Sequence, residues 1–106
     1  MSEFRIVLVT APDRQEAERL AVLCIEAGLA PCVNIVPSCL SLYRWQGALQ
    51  RDEEALMVIK TRTDSFEALA ELVGRHHPYE VPEIISLPLD RLSPAYAAYL
   101  GGYFEG

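Results

Sequence analysis

Residues 54–60 read Glu54-Ala55-Leu56-Met57-Val58-Ile59-Lys60, and the five apolar residues at the centre of this stretch decide the fold. Successive side chains on a strand point to opposite faces, so a sheet with one wet face alternates apolar with polar residues. This run does not alternate, and neither do residues 6–9, Ile6-Val7-Leu8-Val9. Both faces of such a sheet must be covered.

The elements around the run say what covers it. Residues 4–9 form a β-branched apolar strand closed by Thr10-Ala11-Pro12. Asp13 and Glu16 stand at capping-box spacing, Ala17, Leu20, Ala21 and Cys24 then recur at helical intervals, and Gly28 supplies the stop. Pro31 and Pro37 bracket a five-residue strand, 32–36, too short for a helix. Segments 40–45 and 54–60 are extended and apolar, with the charged, Gly47-bearing stretch 46–53 between them as a solvated hairpin tip. Asp64 and Glu67 repeat the capping spacing, and Phe66, Leu69, Ala70 and Val73 line one face of a second helix. Pro78 disfavours helical geometry at His77, so this helix ends near Arg75 or His76. Residues 84–87 form a fourth strand, and Ser93-Pro94 opens a short helix that Gly101 and Gly102 close.

The order β-α-β-β-α-β plus a terminal helix predicts an α+β fold of the ferredoxin-like type, with a long hairpin on an antiparallel sheet. Right-handed crossovers put both long helices on one face. The other face is left to a second copy of the chain, because a bare apolar sheet is an association surface and symmetric assembly is the common way to cover it. The competing arrangement curls the hairpin back over its own sheet.

One domain spans residues 1–106. With 51% hydrophobic residues the chain can build a core, and no apolar run approaches the ~20 residues that cross a bilayer. Fifteen acids against nine bases give a formal charge of -6, which opposes binding to a nucleic-acid backbone. The basic n-region and long apolar core of a signal peptide are absent, and the odd cysteine count, Cys24, Cys32 and Cys39, fits no disulfide framework; both point to the cytoplasm.

Chemistry concentrates in residues 76–83, His76-His77-Pro78-Tyr79-Glu80-Val81-Pro82-Glu83. Imidazoles beside carboxylates can ligate a divalent ion, His76 and His77 with Glu80 or Glu83, while the plainer reading is a helix end where a histidine caps carbonyls. Cys32 fits packing better than reactivity, and Cys39 would need Arg44 nearby to ionise. Lys60 can act as a desolvated amine or pair with Glu53, Glu54 or Glu83, of which pairing fits better. Tyr43 and Trp45 can stack on a ligand or fill a subunit contact. Asn34 in a buried strand calls for a hydrogen-bond partner. No nucleophile and base stand at reacting spacing, and no nucleotide or zinc-hydrolase motif occurs, so a catalyst is not expected.

Ala30-Pro31-Cys32-Val33-Asn34-Ile35, Ser41-Leu42-Tyr43-Arg44-Trp45-Gln46-Gly47, Ile59-Lys60-Thr61 and His77-Pro78-Tyr79-Glu80-Val81-Pro82-Glu83-Ile84 together resemble the CutA family of divalent-cation tolerance proteins. The likeness extends from about Val7 to Tyr99. It implies a homotrimer of ferredoxin-like subunits whose partners are itself and divalent metal ions, copper among them; that neither a membrane nor a nucleic acid is expected as a partner follows from the apolar run lengths and the charge above. The family's copper site falls by position on His76 and His77, with Val9 where a strand-one cysteine would stand; losing that thiolate favours Cu(II) or Zn(II) over Cu(I). The trimer also resembles PII-type signal proteins, which implies an alternative: a sensor or adaptor with a ligand cleft between subunits near Tyr43, Trp45, Lys60, Tyr79 and Glu83.

Overall fold

The computed structural model describes residues 3–105. Its elements are β1 (Phe4–Ala11), α1 (Arg14–Glu26), β2 (Cys32–Trp45), β3 (Ala48–Arg62), α2 (Phe66–His76), β4 (Ile84–Pro88) and α3 (Pro94–Glu105), with a 3-10 turn at Thr63–Ser65. All strand pairs are antiparallel, in the order β2-β3-β1-β4. The fold is therefore mixed α and β, with one four-stranded sheet and three helices.

Asp13 caps α1 as its sequence position predicts, accepting the Glu16 N–H at 2.8 Å. The helix stops before Gly28, whose φ of +78° suits glycine. For α2 the expected Asp64 cap is replaced by the 3-10 turn. Ser65 precedes the helix without a side-chain cap, and Asp64 instead accepts from Arg62 Nε at 2.6 Å.

Helices α1 and α2 share one face of the sheet. Val7, Val9, Ala11, Ala55, Met57 and Ile59 point to that face and are fully buried against Ala17, Leu20, Cys24, Leu69 and Val73. Burying each valine, leucine, isoleucine and methionine of this layer contributes about 1.5–3 kcal/mol, which makes it the main source of stability. The opposite face holds Ile6, Leu8, Leu56 and Val58, partly covered, and Val36, Ile85 and Leu87, which stay 44%, 51% and 50% exposed.

Three sequence expectations need correction. The segments 32–36 and 40–45 are one strand of 14 residues, β2, not two. Pro37 and Ser38 form a bulge in it, between the pairs Val36–Leu56 and Cys39–Glu54. A proline breaks no ladder there because β2 is an edge strand. The hairpin tip is also far shorter than 46–53: only Gln46 and Gly47 turn, both at positive φ (51° and 81°), and the charged residues that follow remain in β3. Finally, α3 does not stop at Gly101-Gly102 but runs to Glu105. Its end is anchored by the Tyr103 hydroxyl, which donates to the Ile25 carbonyl, and by the Phe104 ring, 4.5 Å from the Arg62 guanidinium. Those contacts offset about 1 kcal/mol of helix cost per glycine. Phe4 and Leu100 are buried where α3 crosses the sheet end.

The hairpin carries the molecule to 45 Å along its longest axis, against 25 and 22 Å across. Its far half has no helix over it, and Leu40, Leu42, Trp45 and Leu49 are 51–63% exposed. It does not curl back over its own sheet.

Candidate functional site

The bulge determines which residues meet. Before it, Cys32, Asn34 and Val36 pair with Lys60, Val58 and Leu56; after it, Cys39, Ser41 and Tyr43 pair with Glu54, Asp52 and Gln50. One extra residue exchanges the faces of a strand, so the odd-numbered residues of the far half join the helix-free face. Ser41, Tyr43 and Trp45 thereby come to the same side as Glu54 and Thr10.

The fourth wall is the loop after α2, which is tied down at two points. Arg19 of α1 donates to the His76 carbonyl at 2.7 Å. β4 ends its pairing with β1 at Val9–Ile84, and the Thr10 carbonyl just beyond lies 2.7 Å from His77 Nε2. His77 Nδ1 accepts the Tyr79 N–H at 3.1 Å, which assigns the proton to Nε2 as donor to Thr10. His77 is buried and its ring tilts against Tyr79, centroids 4.8 Å apart. The loop is thus pinned so that the Tyr79 hydroxyl donates to Glu54 Oε2 at 2.7 Å.

The result is an open cleft of about 540 Å³, lined by Thr10, Ser41, Tyr43, Trp45, Glu54, Tyr79, Glu80 and Glu83 with Leu42 and Val81. Glu54 is only 8% exposed. Burial and then the hydrogen bond to Glu54 push the Tyr79 phenol well above its usual range, and the bond to Asp52 raises that of Tyr43. Both phenols stay neutral donors at physiological pH.

The expected site residues divide. Tyr43, Trp45, Tyr79, Glu80 and Glu83 line the cleft. Lys60 does not: its ammonium donates to Asn34 Oδ1 and lies 4.0 Å from Cys32 Sγ, so its partner is an amide rather than the expected carboxylate. Asn34 has the partner its position demanded. His76 is exposed at the end of α2, while both ring nitrogens of His77 are engaged, by the Thr10 carbonyl of β1 and the Tyr79 N–H, so the ring is not a free ligand and does not cap the carbonyls of α2. Val9 is fully buried under the helices. Among the described residues no three His, Cys, Asp or Glu side chains converge on a point that could hold a metal ion, so the donors of a single subunit do not fit a closed metal cage. Sequence reasoning missed Glu54 and Thr10 as cleft residues. The signal that could have found them is Pro37, whose missing N–H marks where the register shifts.

Fold and site define a small antiparallel α/β protein whose helix-free sheet face carries a cleft of carboxylates, phenols and one indole. Comparison with known proteins makes this specific. The sequence model of the CutA1 divalent ion tolerance protein family matches residues 5–102, and the chain belongs to that family. It is 44% identical over 95 residues to the divalent-cation tolerance protein CutA of Thermus thermophilus, covering 90% of this chain and 92% of that one. It is equally identical to the chloroplastic protein CutA of Arabidopsis thaliana, of which it spans 52%. Its fold superposes on the crystal structure of CutA1 from Oryza sativa with a TM-score of 0.93 at 41% identity, covering 96% of this chain and 94% of that one.

Proposed function

We propose that this chain works as a cytoplasmic homotrimer in divalent-cation tolerance, its subunits of ferredoxin-like topology meeting through the helix-free sheet face. The observation that carries the assembly is that face itself: Val36, Ile85 and Leu87 stand about half exposed beside Ile6, Leu8, Leu56 and Val58, an apolar area that its own chain covers only in part. The number three comes from the family resemblance, and the strand order β2-β3-β1-β4 supports the ferredoxin-like label. The free thiols Cys24, Cys32 and Cys39 suit a reducing compartment.

In this reading copper or another divalent ion is met by the exposed imidazole of His76 with Glu80 and Glu83, and His77 holds the loop that carries the two carboxylates. Donors from a neighbouring subunit complete the set. Calorimetric titration with Cu(II) and Zn(II), beside a His76→Ala/Glu83→Gln variant, tests it. A clear loss of affinity in the variant is expected, and superimposable isotherms would remove the site.

One observation favours a second reading, a PII-like sensor or adaptor. The cleft has the size of a small-molecule site, and its walls are aromatic with a few polar groups. A metabolite held there stabilises the fold by mass action, so a thermal-shift screen reads it directly.

A further inference from the structure

We propose that in the assembly the Lys60 ammonium of one copy enters the carboxylate end of the next copy's sheet face and pairs there with Glu54, Glu80 and Glu83. The inference rests on the reading of the chain as a homotrimer and names the charged contact that sets how its copies meet.

The helix-free face carries its charges at opposite ends. At one end Lys60 stands between Ile6 of β1 and Cys32 of β2. At the other, Glu54 joins Glu80 and Glu83 around the cleft, which no lysine, arginine or histidine side chain lines. Apolar Leu56 and Val58 separate the two ends along β3. Glu54 and Lys60 are six residues apart on one strand, about 20 Å, so they cannot pair within a chain. The ion pairs among the described residues are Arg14–Glu18, Arg19–Glu16 and Arg62–Asp64, and none includes Lys60 or the three glutamates. Arg62, the next base along β3, is already engaged by Asp64 and the Phe104 ring. Lys60 is the cation that this face has to offer.

Covering the face makes both ends costly. The Lys60 ammonium has an amide acceptor, Asn34 Oδ1, and the Cys32 sulfur at 4.0 Å, neither of which carries a full negative charge at neutral pH. The donor to Glu54 is the neutral Tyr79 phenol. A charge removed from water without a countercharge is expensive, and here each copy holds the countercharge that the other end of the face lacks. A ring of three supplies the match, because every contact in it is heterologous and joins two different patches. Apolar Ile6, Leu8, Ile85 and Leu87 attract without direction, whereas opposite charges at the two ends fix the register and oppose the arrangement that sets carboxylate against carboxylate.

Lys60 is the only lysine of the chain, so zero-length carbodiimide coupling, which joins an amine to a carboxylate it touches, reads its partner directly. The full native chain is coupled at low micromolar concentration beside Lys60→Arg, which keeps the charge and removes the side-chain amine. Covalent dimers and trimers are expected on a denaturing gel for the native chain and not for the variant, with linked peptides that join Lys60 to Glu54, Glu80 or Glu83. Linkage of Lys60 to any other carboxylate, linkage only at the mass of one chain, or no linkage overturns the proposal. Charge reversal gives a second readout, by sedimentation velocity with circular dichroism to verify folding. Lys60→Glu and Glu83→Lys should each raise the concentration at which the trimer dissociates about tenfold or more, and the double variant should restore it. Glu71→Lys, on α2 and away from the sheet face, should assemble as the native chain does. Single variants that assemble normally, or a double variant no better than either, would overturn the contact and keep the trimer. A native chain that sediments as one copy would overturn both.

Discussion

The two halves of β3 are one strand under two regimes. In the near half, Ala55, Met57, Ile59 and Thr61 are fully buried beneath two helices. In the far half, Leu49 is 63% exposed and nothing from its own chain lies over it. The apolar content of a strand therefore tells that it will be covered, while topology decides whether the cover comes from its own subunit. The bulge at Pro37–Ser38 marks the division, and the cleft sits on it.

The largest test of this comparison is a pair of truncations. Met57→Ala removes a fully buried side chain and should cost about 2–5 kcal/mol in urea denaturation. Leu49→Ala should leave hydrogen-exchange protection in β1 and the near half unchanged. Equal losses at both positions would erase the distinction.

The pinned loop comes next. His77→Ala deprives the Thr10 carbonyl and the Tyr79 N–H of their partner and should cost about 1–3 kcal/mol, with faster exchange at the Tyr79 amide. Unchanged exchange there would show that the loop holds itself.

Thiol chemistry sharpens the contrast at smaller scale. Burial raises the Cys24 thiol to about 11, against 9.0 unperturbed. Cys24 in the native protein should therefore resist alkylation at pH 8, while Cys39, on the far half and only half-buried, reacts. The unfolded chain loses this proton first, so the contribution to stability is whole below about pH 9 and falls as pH rises towards 11. A Cys24 that reacts as fast as Cys39 would contradict its burial. Smallest is the turn: Gln46, at φ 51°, is an uncommon residue for a two-residue hairpin turn, and Gln46→Asn should stabilise the fold by about a few tenths of a kcal/mol, read as a slight rise in the thermal midpoint.

The near half was readable from residue pattern because its elements are local. The Asp13 cap, the Ala17-Leu20-Ala21-Cys24 spacing and the proline after His77 each fix geometry within a few residues. The far half was not, because a bulge is a property of two strands. Pro37 looked like a terminus when it was a shift in register, and with it went the alignment of Tyr43 and Trp45 with Glu54. The His77 pin was not legible, since its partner Thr10 lies 67 residues away; the pattern offered only a cap on helix-end carbonyls. Lys60 was misplaced for the same reason: three glutamates offered charge, but pairing across the sheet delivered Asn34.

In the proposed trimer, identical copies supply the cover the chain lacks over its helix-free face. Sedimentation velocity at low micromolar concentration, on the native chain and on Ile85→Asp, tests it most directly. A species of three-copy mass is expected for the native chain, and its dissociation in the variant. A well-folded native protein sedimenting with the mass of one chain would contradict it.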